Sequence, residues 1–548
     1  MRRLLPLALA LAALPFGRGA DAQCAIGNAT AVLDASDVRV TFYNTGNLFY
    51  RNTATNSQYV VPASGTISPV YAAGLWMGGF VNGQLRVAGT NYATAPATFE
   101  YAPGPLDQGT GLPPNPANCT AYDRIYRVSD ADVAVYVGGG AATPDLAAWP
   151  IGLGAPAVDN IGNPIVTTDR TRVINLAAGE RPVVPGSQVA FWVMNDYTTH
   201  GSTSTAPLRV EVQVLAFVQD DANPFFDQST FYRYTLINRS STPITDFRVG
   251  LFIDSDLGCP SDDYVASDVA RGMIYSYNAD NDDALCDGVQ GYGLNPPALG
   301  MDLLQGTPEA LMYFVNEAGI PTNDPSDGQG YYNILRGLWK DGTPMTEGAF
   351  GYLSAGAVTR YAFSSGNPIT PTFWSERCNN SGACAVNTPG DRRMIASVAS
   401  GTLQPGAPAR FDLALIYARG TSNLNSITVL QSASDAVQTA YNAGTLFPAT
   451  GVPPVAAEGG PAAAVFALTA TPNPATGAAT VAYTLPEAAR VRVTVYDVLG
   501  RAVAVLAEGA QSAGAHTAAL DAAALPAGPY LVVLDADGAR ATTRVTVE

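Results

Sequence analysis

Ala479-Thr480-Val481-Ala482-Tyr483-Thr484-Leu485 and, shortly after it, Val491-Arg492-Val493-Thr494-Val495-Tyr496 set apolar residues on every second position. Side chains of an extended chain point alternately to opposite faces, so this period predicts half-buried β-strands. Shorter runs at 502–506, 530–534 and 542–547 repeat the pattern. Between them stand Pro472-Asn473-Pro474, Leu499-Gly500, Pro526-Ala527-Gly528 and Asp537-Gly538. Such residues fix φ or tolerate φ > 0 and therefore mark turns. Several short strands at this spacing predict a small immunoglobulin-like β-sandwich over 465–548.

The wording of that stretch is more specific than its period. Thr471-Pro472-Asn473-Pro474, then Val495-Tyr496-Asp497-Val498-Leu499-Gly500-Arg501, then Leu525-Pro526-Ala527-Gly528-Pro529-Tyr530 resemble, in order, the type A C-terminal sorting domain of type IX secretion cargo. Pro529 departs from the bulkier β-former usual before the tyrosine. The resemblance implies export across the outer membrane of a Gram-negative bacterium by the type IX machinery. It also implies removal of the tag by a processing protease and attachment of the cargo to surface lipopolysaccharide. The residues implied to carry the signal are Pro472, Asn473, Pro474, Tyr496, Asp497, Leu499, Gly500, Arg501, Pro526, Gly528 and Tyr530.

The start of the chain agrees with export. Met1-Arg2-Arg3 is a basic lead, 4–16 is an apolar run, and Ala20-Asp21-Ala22 is a small-x-small cleavage site, so 1–22 reads as a signal peptide. The run falls short of the roughly 20 residues a spanning helix needs. In 548 residues only 14% are charged, with 54 Gly and 40 Pro, which predicts a turn-rich all-β chain rather than low-complexity disorder. A net charge of −17 supplies no basic stripe for phosphate, which excludes nucleic acid as a partner. Six cysteines, Cys24, Cys119, Cys259, Cys286, Cys378 and Cys384, form no C-x-x-C pair, and His200 and His516 are the only histidines. That argues for disulfides over zinc. Sequence proximity favours Cys24–Cys119, Cys259–Cys286 and Cys378–Cys384.

Along the cargo, strands are expected at 38–43, 72–80, 84–87, 131–137, 188–193, 208–217, 230–238 and 247–253. Helices are expected after Thr307-Pro308-Glu309 and through Leu424, Ile427, Leu430, Ala433, Val437 and Tyr441. The expected order is an N-terminal β-rich domain (23–220), a central β-rich domain with acidic loops and a closing helix (221–445), a Pro/Gly/Ala linker (446–464) and the sorting domain. The fold class is all-β, with multiple β-sandwich domains joined by long loops. Blocks such as Ala73-Gly74-Leu75-Trp76-Met77-Gly78-Gly79, Trp192-Val193-Met194-Asn195-Asp196, Asp262-Asp263-Tyr264-Val265 and Asp391-Arg392-Arg393 resemble an uncharacterised family of secreted proteins bearing the same tag. No activity attaches to that resemblance.

Chemistry concentrates in acidic loops. Asp254 and Asp256 lie two apart after a strand, and Asp262, Asp263, Asp268, Asn278, Asp280 and Asp282 follow. Carboxylates and amides at this density suit calcium, which takes six to eight oxygen ligands. The alternative is that they cap turns. The loop lacks the glycine and closing glutamate of an EF-hand. For catalysis the sequence offers only His200 near Asp196 and Ser202, without a nucleophile elbow. Tyr331-Tyr332, Trp339, Tyr361 and Phe373-Trp374 could stack on sugars or lie under long loops. The expected role is a structural or adhesive cell-surface protein stabilised by calcium, with glycans or other surface proteins as partners. The alternative is a polysaccharide-active enzyme or carbohydrate-binding surface protein.

Overall fold

A computed structural model describes residues 27–50, 58–92, 99–114, 116–286, 288–317, 319–379, 384–447, 468–485, 488–496, 502–536 and 539–547. The expected signal peptide, Cys24, most of the expected linker, and Asp497, Leu499, Gly500 and Arg501 lie outside these residues. In chain order the principal cargo strands are β1 (Arg39–Tyr43), β2 (Ala72–Val81), β3 (Gln188–Asn195), β4 (Val210–Val218), β5 (Ser229–Asn238) and β6 (Ile244–Asp254). They continue with β7 (Asp263–Asp268), β8 (Met273–Asn278), β9 (Ala298–Leu303), β10 (Ala310–Val315), β11 (Arg392–Leu403) and β12 (Pro408–Ala418). The longer helices that accompany them are α1 (Asp130–Val137), α2 (Gly328–Leu335) and α3 (Asn423–Asn442).

The strands form two nine-stranded antiparallel sheets. One contains β1 and the run β2-β6-β11-β10; the other runs β7-β8-β9-β12-β5-β4-β3. Phe42 of β1 packs against Trp192 of β3 and Tyr232 of β5, at 5.5 and 6.0 Å between ring centroids, so the sheets meet face to face. The boundary expected at 220 falls within this packing. β4 pairs with β5 across it, β2 pairs with β6, and a single hydrophobic core extends from Ala31 to Phe447.

Both faces of the second sheet are covered, and its strands lose the period of two as a result. β3 is buried along its whole length, with Trp149 packed on Phe191. On the other flank α3 lies across β12, β9 and β8 through Ile427, Leu430, Ala433 and Val437. Ser422 caps α3 by accepting a hydrogen bond from the Asn425 amide. Gly300 sits beneath it, where a Cβ would come within 2.6 Å of Met273 and 3.0 Å of Leu430.

Two local expectations are reversed. Residues 131–137 are helical (α1), because Ser129 and Asp132 form a capping box that starts a helix despite the valines. Val135 and Val137 are left exposed. Conversely, Thr307-Pro308-Glu309 leads into strand β10, which completes the edge of the first sheet beside β11. Glu309 is drawn instead into ion pairs with Arg248 and Arg360, at 3.2 and 2.8 Å. Helix α2, absent from the sequence reading, is capped by Asp327 and lays Tyr331 against Trp76.

The tail is a separate sandwich with its own core. Its strands are β13 (Leu468–Thr471), β14 (Ala478–Leu485), β15 (Ala489–Tyr496), β16 (Ala502–Gln511), β17 (Gly514–Asp521), β18 (Gly528–Ala536) and β19 (Ala539–Val547). They make a three-stranded sheet, β13-β14-β17, and a four-stranded one, β16-β15-β18-β19. The alternating residues Val481, Tyr483, Leu485, Val491, Val493 and Val495 all point inward, as their period predicts.

Trp76 anchors the cargo core among Phe252, Phe314 and Tyr331, at 5.4, 6.1 and 4.5 Å. Trp76→Ala should cost about 3–5 kcal/mol in chemical denaturation. A loss below about 1 kcal/mol would show that this cluster is not central to the core.

Candidate functional site

Three acids gather at one end of the first sheet. β6 ends at Asp254, and β11 runs antiparallel beside it with Arg393 opposite Asp254. This register brings Asp391, just ahead of β11, to Asp254 and Asp256. One carboxylate oxygen from each lies within 4.8 Å of the others. Asp254 is only 3% exposed, and its Oδ1 accepts no hydrogen bond; Oδ1 of half-buried Asp256 is also unpartnered. One guanidinium answers the three acids. Arg393 Nη2 is 3.4 Å from Asp254 Oδ2, and Nη1 is 2.8 Å from Asp391 Oδ1. Its Nε donates to the Tyr92 hydroxyl at 2.8 Å, and Tyr92, Tyr71 and Tyr50 form a ring-on-ring wall beside the cluster.

Burial pushes the Asp254 carboxyl well up, and repulsion from Asp256 adds to it against the pull of Arg393. Burial, then Asp391, raises Asp256 to about 7. A divalent cation would reverse this balance by favouring the ionised forms.

The remaining acids predicted for this site are dispersed. Asp263 Oδ2 accepts from the Leu257 amide at 3.0 Å. Asp262 and Asp283 approach Cys259, whose sulfur is bonded to Cys286 and so offers no thiolate. Asn278 Oδ1 accepts from the Asp280 amide and Asp280 Oδ1 from the Asp282 amide, at 3.0 and 2.8 Å; these residues cap a turn. Asp268 is paired with Arg271 at 2.6 Å. Asp391 escaped the sequence reading as a ligand because 137 residues separate it from Asp254. The block Asp391-Arg392-Arg393 was the available signal.

Disulfides join Cys259 to Cys286 and Cys378 to Cys384. Cys119 is also disulfide-bonded, and its expected partner lies outside the described residues. Both ring nitrogens of buried His200 lie 2.8 Å from backbone oxygens, of Val87 and Asp196, so the ring is a packing element rather than a base facing a serine. Trp339, Trp374, Tyr331 and Tyr332 are core residues, with the indole N–H of Trp339 donating to Gly351 O. Tyr361 and Phe373 are half-buried, so of the expected aromatic set Tyr331, Tyr332, Trp339 and Trp374 lie in the core.

In the tail, Asn473 ties the first motif to the last strand. Its Nδ2 donates to Arg544 O at 3.0 Å, and its Oδ1 accepts from the Thr546 amide at 2.8 Å. The Tyr530 hydroxyl donates to Pro526 O at 2.8 Å, locking the third motif. Disulfides in the cargo suit an oxidising compartment. Residues 470–548 match the secretion system C-terminal sorting domain, the tag of type IX secretion. The chain is thus cargo that engages the type IX machinery and is exported to the cell surface or beyond. No curated protein matches the chain. Among the described residues no helix is long and apolar enough to cross a membrane.

Asp302, fully buried under α3, lies apart from the three-carboxylate cluster. Burial, partly offset by the Ser434 hydroxyl, pushes its carboxyl up to about 8. The folded state then holds this proton more tightly than the unfolded chain, so the associated stability is present below about pH 4 and is lost as pH rises through about 8. Asp302→Asn should melt higher than the parent at about pH 9 and show a shallower decline from about pH 5. Parallel Tm–pH curves for the two proteins would refute the assignment.

Proposed function

We propose that the cargo is a structural or adhesive protein of the bacterial surface, with its acidic loops ordered by calcium. After removal of the tag it is held on surface lipopolysaccharide. The observation that carries this reading is the burial of the loop aromatics: Trp339 and Trp374 are 1% and 0% exposed and line no sugar platform. Two large sheets sharing one core make a rigid body suited to bearing contacts from other surface proteins or glycans. The acids at the end of the first sheet are elements a hard cation would order.

Two measurements test the reading. Deleting 465–548 should leave the cargo inside the outer membrane, detected by fractionation of the native host, whereas the whole chain reaches the surface. Surface display of the truncated cargo would sink the export half. Chelator should lower the Tm of the exported protein, and hydrolysis of a polysaccharide by that protein would replace the structural role with the enzymatic alternative.

A further inference from the structure

We infer that a single calcium ion binds at the end of the first sheet, held by carboxylate oxygens of Asp254, Asp256 and Asp391. The inference rests on the reading that calcium orders the acidic loops, and seats the ion on Asp254 and Asp256 of the expected set together with Asp391, apart from Asn278, Asp280 and Asp282.

Three features support it. Oxygens from all three acids already converge within 4.8 Å, although Asp391 comes from a distant part of the chain. Asp254 is a carboxylate 97% buried by its 3% exposure, with one oxygen lacking any hydrogen-bond partner. A buried acceptor left unmade costs about 1–3 kcal/mol, more when it is charged, so such an atom marks a place where something else completes the bonding. Charge points the same way. Three ionised carboxylates against Arg393 leave two uncompensated negative charges, the charge of one divalent cation. Asp324, whose Oδ2 is 3.9 Å from Arg393 Nε, only deepens the negative field.

The donor set selects among metals. It is all carboxylate oxygen, with no imidazole or thiolate, which disfavours zinc and copper. A seat so deeply buried at Asp254 requires the ion to shed much of its water. Calcium does this readily and accepts irregular coordination, whereas magnesium dehydrates reluctantly and demands an octahedron. Bound there, the ion would tie the end of β6 to the start of β11. Arg393 would remain as the charge that keeps the cluster assembled before the ion arrives.

The experiment uses the whole exported chain, stripped with EDTA and then titrated with calcium or magnesium while Tm is read. Variants Asp391→Asn, Asp256→Asn and, as the loop control, Asp280→Asn are treated alike. Calcium should raise the Tm of the parent and of D280N, and the rise should be lost or need at least about tenfold more calcium in D391N and D256N. Direct metal analysis should find one calcium per parent chain and none in D391N, which keeps the test decisive if one variant is poorly folded. An undiminished response in both D391N and D256N would overturn this seat while leaving calcium binding intact. No response in the parent would overturn both. An equal response to magnesium would overturn the choice of calcium.

Discussion

The pairing of β6 with β2 on one side and β11 on the other is the constraint on which the rest of the cargo depends. β6 is an inner strand, buried along most of its length, and its register sets Asp254 between Ala72 and Arg393. Its backbone must be paired on both edges, because an unpaired amide in so apolar a layer would lose its water without replacement. Satisfying it draws together segments some 320 residues apart. The same pairing sets Trp76 of β2 against Phe252 of β6, with Phe314 reaching them from β10 beyond β11, and delivers Asp391 to the end of β6.

Elsewhere in the sandwich, several buried carboxylates are answered by arginine. Arg233 forks onto Asp412 at 2.9 and 2.8 Å, and Arg392 onto Glu376 at 3.1 and 3.2 Å. Despite burial, which raises it, Arg239 and Arg170 hold the Glu211 carboxyl below its ordinary range. Planar guanidinium matches carboxylate in two bonds, which makes arginine the suitable cation for such sites. The cluster at Asp254 stands out against this background because three acids share one guanidinium.

The tag works by different means. Its core is small and rich in valine, and its motifs are held by polar clamps such as Asn473 on Arg544 and Thr546. Motif and fold coincide there: Tyr530 packs in the core while its hydroxyl secures the turn at Pro526. Such a module can be recognised as a unit at the secretion machinery and keeps its hydrophobic core independent of the cargo's.

By itself the sequence determined whatever depends on near neighbours. The tag strands β14, β15, β16, β18 and β19, the cargo strands β1 to β6, the helix at Asn423–Asn442 and the turn at Asn82-Gly83, with φ of 51° and 74°, follow from period, caps and turn residues. The local bridges Cys259–Cys286 and Cys378–Cys384 follow from proximity, and the export tag from its three motifs. Only the tertiary structure decided that the two halves of the cargo are one body, that 310–315 is a sheet edge, and that Asp254 and Asp256 meet Asp391 rather than Asn278 and Asp280. The reason is physical. Sheet pairing and burial join residues by register across hundreds of positions, and no period or spacing along the chain records which strand will lie beside which.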